Sequence, residues 1–268
     1  MLQINTPDCS QMFYEKTGSG PALVLIHGFP FKHDIWEQIA GDLSSGFTLI
    51  IPDLPGSGFS SLDGSLGIVE FAKCVKTILD KENIAKAVIA GHSMGGYVAF
   101  AFAALYPRSV SGLSVIHSTP LADDDEKKVT RKKVIDIIKS GGKKNFINQM
   151  IPNLFCDDFK QNHYEMVKTQ IEKALESRDE ALINFYVAMM ERNDYSGTID
   201  SFNFPIQWIL GKNDNIIPYK KSLQYCFKTS VNFVHIFPSC GHMSMIEKPG
   251  QLLWSLTEFI NYCQMSSL

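Results

Sequence analysis

A surplus of basic charge is missing from this chain: 25 Lys and Arg stand against 28 Asp and Glu, a net charge of −3 at pH 7. That balance gives no electrostatic reason to expect nucleic acid or an anionic membrane as a partner. Also missing is any apolar stretch near the ~20 residues that a transmembrane helix needs. The opening Met1-Leu2-Gln3-Ile4-Asn5-Thr6-Pro7-Asp8 has neither a basic segment nor an apolar core, so no secretory signal is expected. Cysteine is sparse and scattered: Cys9, Cys74, Cys156, Cys226, Cys240 and Cys263 show no C-x-x-C spacing. This reads as a reduced, cytoplasmic protein rather than a disulfide scaffold. Cys240, two residues before a histidine, reads as a small buried filler. Neither a metal nor a cofactor is expected.

What is present is enough apolar residue for one sizeable core: 45% of 268 residues are hydrophobic. Short apolar runs at 22–26, 47–51, 87–90, 112–116, 206–210 and 231–237 alternate with helix-like segments at 65–81, 97–106 and 249–263. Runs apolar on both faces suit strands covered by helices on both sides, hence an α/β fold with a mostly parallel central sheet. Residues 2–14 are predicted to add antiparallel strands at one edge. Between about 121 and 200 the strand-like runs vanish. Helical patterns at 126–140, 143–151, 158–177 and 179–192 predict an inserted lid of about four helices, leaving 1–120 and 201–268 as the core. The charge run from Asp123 to Lys133 reads as a solvated helix face, acids first as the helix dipole favours.

Gly91-His92-Ser93-Met94-Gly95 lies between a strand-like run and a helix-like run. A strand turning sharply into a helix over G-x-S-x-G is a nucleophile elbow, which lifts the serine hydroxyl out of the turn. A serine needs a base. His242, in the loop after the last strand-like run, lies at the same sheet edge. Asp214, after the run ending at Leu210, can fix the tautomer of His242 and stabilise its imidazolium. Ser93, Asp214, His242 is the Ser…Asp…His order of an α/β hydrolase. An oxyanion hole needs two backbone N–H groups. Met94 and Phe29, the latter in the turn His27-Gly28-Phe29-Pro30, are predicted to supply them, with His27 bracing that turn. Gly56-x-Gly58 is no dinucleotide loop, because position 61 is serine and no helix begins there.

Beyond the elbow, His27-Gly28-Phe29-Pro30, the segment Asp53-Leu54-Pro55-Gly56-Ser57-Gly58-Phe59-Ser60, and Gly241-His242 with Glu247-x-Pro249 resemble motifs of the α/β-hydrolase superfamily. The resemblance spans residues from about 10 to 250. It implies a serine hydrolase acting through an acyl-enzyme on a small carboxylic ester, lactone or thioester. Serine at 93 argues against the dehalogenases and epoxide hydrolases, whose relatives use aspartate there. Carbon–carbon bond hydrolases of aromatic catabolism are the alternative; many carry tryptophan after the histidine, where this chain has Met243. A binding protein or receptor without turnover is the other. Phe31, Met150, Phe155, Met189, Met190 and Met243 are candidate pocket residues, and Arg192 a candidate contact for a substrate carboxylate, with Asp194 as its competing partner. The expected partner is a small ester-type substrate, with no nucleic acid and no membrane, for a monomer or homodimer.

Overall fold

The computed structural model describes residues 1–265. Its strands are β1 (Leu2–Thr6), β2 (Cys9–Thr17), β3 (Ala22–Ile26), β4 (Thr48–Pro52), β5 (Ala87–His92), β6 (Val110–Ile116), β7 (Ile206–Gly211) and β8 (Asn232–Phe237). They form one sheet in the order β1-β2-β4-β3-β5-β6-β7-β8. β1 and β2 run antiparallel at one edge, and every pairing from β4 to β8 is parallel. The apolar runs become strands because both faces are covered. Val24 and Ile26 enter one core, whereas Leu23 and Leu25 enter the other. This is the period-two alternation of a strand expressed in a sheet buried on both sides.

α1 (Glu37–Ser44) and the final α11 (Pro249–Met265) cover one face. α2 (Ile68–Lys81) and α3 (Met94–Leu105) cover the other. The chain passes from β3 to β4 on one side, then returns through α2 to place β5 on the opposite side of β3. Strand order therefore reverses between β3 and β5, and the crevice at the carboxyl ends of such strands is where open α/β sheets place ligands.

Between β6 and β7 lies a helical insertion: α4 (Asp125–Lys139), α5 (Lys143–Met150), α6 (Asp157–Asn162), α7 (Tyr164–Leu175) and α8 (Asp179–Glu191). The pattern read as one helix over 158–177 is broken at His163, which leaves the helical region at φ −132° and ψ 44°. α8 is fastened to the sheet-covering layer by Asn184, whose amide both accepts from Leu66 N–H (2.9 Å) and donates to Leu66 C=O (3.0 Å). α9 (Tyr219–Leu223) and α10 (Ser244–Glu247) are short helices that follow β7 and β8.

Candidate active site

Ser93 occupies the single-residue turn between β5 and α3, at φ 52° and ψ −114°. For a residue with a side chain this is a strained backbone, of the order of 1–3 kcal/mol. The turn is tight enough to need glycine on both sides. A Cβ on Gly91 would lie 2.2 Å from Gly95 O, and one on Gly95 would lie 2.3 Å from Ile26 O. Ser93 N–H donates to Ile116 O at 2.9 Å, which pins the turn to the end of β6.

Asp214 follows β7, and His242 follows β8. His242 Nδ1 lies 2.8 Å from Asp214 Oδ2, and both residues are buried. Ser93 and His242 line one cavity of about 430 Å³. Ser93 Oγ forms no hydrogen bond to His242 among the described residues. Asp214 Oδ1 accepts from Ile216 N–H (2.8 Å) and Ile217 N–H (2.9 Å). Burial alone would raise the Asp214 pKa. The charge of His242 and the hydrogen bonds from His117 and His242 outweigh it and hold the carboxyl well below the usual carboxylate range.

His117 is the residue that the sequence patterns missed. Its Nδ1 lies 3.2 Å from the same Asp214 Oδ2. An ionised carboxylate only accepts, so both rings present Nδ1–H to it, and Nε2 is the remaining nitrogen of His242. The other neighbour of His242 is His92, whose Nε2 donates to His242 C=O at 2.8 Å. Burial lowers the pKa of His92 and of His117. With both held neutral, a proton accepted by His242 meets no second imidazolium beside it. The loop carrying His242 is itself held by Glu247, which accepts from Gly241 N–H (3.0 Å), Met243 N–H (3.0 Å) and Cys156 N–H (2.9 Å).

The turn after β3 brings Phe29 to the same cavity. Neither Phe29 N–H nor Met94 N–H meets an acceptor among the described residues. His27 Nε2 accepts from Leu54 N–H (3.0 Å), which leaves its Nδ1 to donate to Gly28 C=O at 3.1 Å. Asp53 accepts from His33 N–H (2.9 Å) and Nδ1 (2.7 Å), organising the loop that follows β4.

Of the candidate pocket residues, Met150 and Met189 line this cavity. Phe31, Phe155, Met190 and Met243 do not. Phe31 faces a separate cavity of about 280 Å³. Phe155 is stacked on Phe159 in the core, Met243 is fully buried there, and Met190 packs on the opposite core. Phe155, Met190 and Met243 are taken up by packing. Arg192 pairs with neither Asp194 nor the cavity: its Nη1 lies 2.8 Å from Asp123 Oδ1, and its guanidinium stacks on Tyr97 at 3.9 Å.

Residues 21–140 match a family model described as alpha/beta hydrolase fold. A thermophilic esterase from Thermogutta terrifontis, solved with malate bound, superposes with a TM-score of 0.93, at 26% identity, over 98% of each chain. The chain has the α/β-hydrolase fold, and its match is to the superfamily of that name. It is 28% identical to the pimeloyl-[acyl-carrier protein] methyl ester esterase of Pseudoalteromonas atlantica, over 90% of this chain and 95% of that one. It is also 26% identical to a 2-hydroxy-6-oxononadienedioate/2-hydroxy-6-oxononatrienedioate hydrolase of Burkholderia vietnamiensis, over 93% and 91%. These likenesses carry the fold and the class hydrolase; the reaction must be argued from the site. Among the described residues, no helix is long and apolar enough to cross a membrane.

Proposed function

We propose that this α/β-fold hydrolase is a carboxylesterase with Ser93 as nucleophile, His242 as general base and Asp214 as the group that orients it. The observation that carries this reading is the strained Ser93 turn opening onto the same cavity as a histidine whose other ring nitrogen is bonded to a buried carboxylate. His242 Nε2 takes the Ser93 proton as Oγ attacks the ester carbonyl. The oxyanion that forms is met by Phe29 N–H and Met94 N–H, a pairing worth roughly 2.7–4 kcal/mol per donor in the transition state. The alcohol leaves with the proton from His242. A water, deprotonated by His242, then attacks the acyl-enzyme, and the acid departs as Ser93 regains its proton. No metal or cofactor enters these steps.

The helical insertion acts as the lid over this centre, since α4 and α8 supply cavity residues such as Arg131, Tyr186 and Met189. Similarity to the oxononadienedioate hydrolase supports carbon–carbon bond cleavage as the second reading. A fluorophosphonate probe is expected to label the wild-type protein at Ser93, and Ser93→Ala to abolish both labelling and turnover of p-nitrophenyl esters. Unchanged turnover in Ser93→Ala would sink the assignment. Labelling without ester turnover would move the chain to the carbon–carbon reading or to a binding role.

A further inference from the structure

The cavity that holds Ser93 has an unbalanced wall. Asp123, whose side chain is fully buried, meets two guanidinium groups: Arg131 Nε at 2.5 Å and Arg192 Nη1 at 2.8 Å. Two cations on one carboxylate leave one positive charge over. Arg192 uses Nε and Nη1 on the backbone carbonyls of Leu121 and Met189 and its face on the Tyr97 ring; its Nη2 is buried without a partner among the described residues, and Arg192 does not line the cavity. Arg131 does line it. Its Nε and Nη2 face Asp123, while its Nη1 has no acceptor among the described residues. The Tyr186 ring, 5.4 Å from the guanidinium carbon, helps fix its plane.

Two further cations line the same cavity, Lys127 and Lys221; both are exposed, and neither forms an ion pair among the described residues. Of the two carboxylates on this wall, Asp124 is committed to capping α4 through Lys127 N–H at 2.8 Å, and Glu126 is exposed. A pocket for a wholly neutral ester has no use for a half-buried guanidinium with an open edge, because desolvating a charge without a full partner is costly. A ligand carboxylate supplies that partner in the planar geometry guanidinium prefers.

Resting on the reading of Ser93 as nucleophile, we propose that the substrate carries a carboxylate remote from the scissile bond, as in the half-ester of a dicarboxylic acid, and that Arg131 binds it. Arg131 is then a specificity-determining residue, supported at longer range by Lys127 and Lys221.

Two matched esters test this: mono-p-nitrophenyl adipate, which carries a terminal carboxylate, and neutral p-nitrophenyl hexanoate. Wild-type kcat/KM is expected to be at least about 10-fold higher for the adipate half-ester. Arg131→Gln is expected to erase about 10- to 100-fold of that preference. Raising NaCl to 0.5 M should raise KM for the adipate half-ester and leave the neutral ester nearly unaffected. A wild-type protein that turns over both esters equally, with equal salt response, overturns the inference. Because Arg131→Gln alters a buried ion pair, binding of free adipate to Ser93→Ala protein is measured by calorimetry as well. Adipate binding that weakens in the Ser93→Ala/Lys221→Gln protein supports the anion site even if Ser93 is not the nucleophile. Ester turnover that depends on Ser93, with no adipate binding, overturns the anion site alone.

Discussion

Asp214 receives four hydrogen bonds, two backbone N–H groups on Oδ1 and two imidazoles on Oδ2. The backbone pair fixes the plane of the carboxylate, and the two rings compete for one oxygen. An asparagine there would present an N–H to one of these donors and force a change of tautomer or position. Asp214→Asn is therefore expected to lower kcat by about 10⁴-fold, as loss of the correct tautomer does in triad enzymes. His117 acts only through Asp214, as a positioning residue. Removing it with His117→Ala should lower kcat by about 10- to 100-fold, the scale of one hydrogen bond to a charged group. His117→Asn should recover most of that loss, since its amide can still donate and asparagine tolerates the positive φ of 47° at this position. Steady-state kinetics of the three variants check the ranking; equal losses in His117→Ala and His117→Asn would mean that the ring serves packing alone. That Ser93, Asp214 and His242 lie near one another was legible in sequence because each sits beside a strand-like run in a fixed order. His117 also follows a strand, β6, but no motif surrounds it. Its role comes from a strained backbone that turns the ring toward a loop 97 residues away. Arg131 was hidden for a different reason, since a charge run on a helix looks solvated until the helix is docked.

Elements that carry the site are held by contacts between the insertion and the sheet edge, and Glu247 is the clearest of them. One carboxylate on α10 gathers N–H groups from both sides of His242 and from Cys156 in the insertion. Glu247→Ala would orphan three donors in a buried place, at a cost of about 3 kcal/mol or more. Chemical denaturation should show that loss, and kcat should fall with it because the His242 loop loses its anchor. A stable Glu247→Ala protein with normal kcat would show that the loop is held elsewhere. The core strands were legible because burial on both faces leaves few polar residues to break an apolar run; Ser114 in β6 and Gln207 in β7 are buried there by bonding to each other at 2.8 Å. Helix boundaries in the insertion were less so: nothing local marks His163, between α6 and α7, as a break. The direction of single apolar side chains was not legible at all. Met150 and Met243 are alike in composition, yet one faces the cavity and the other fills the core.

Across the whole molecule, the buried imidazoles set the response to acid. Burial lowers the pKa of His27, His92, His117 and His235. For each, the unfolded chain binds a proton more readily than the folded one, so stability rises with pH through the window below about 6.5 and falls as pH drops through it. His33 has the opposite sign: burial would lower its pKa, but the hydrogen bond and charge of Asp53 raise it overall. Its contribution is present below about 6.5 and lost as pH rises through its folded value. Four groups are lowered and one is raised, so the net slope is expected to follow the lowered ones. The depressed carboxyls of Asp53, Asp123 and Asp214 act in the same direction further down, since their stabilisation is present above about 4 and lost as pH falls toward their folded values. Calorimetry is thus expected to show Tm falling between pH 7.5 and 5.5, before the carboxylates begin to titrate. In a chain of this size each kcal/mol corresponds to about 2–4 °C. His92→Asn, which keeps a donor near His242 C=O but cannot gain a proton, should flatten that slope. A Tm that stays level or rises on acidification would mean that the His33–Asp53 pair outweighs the buried rings.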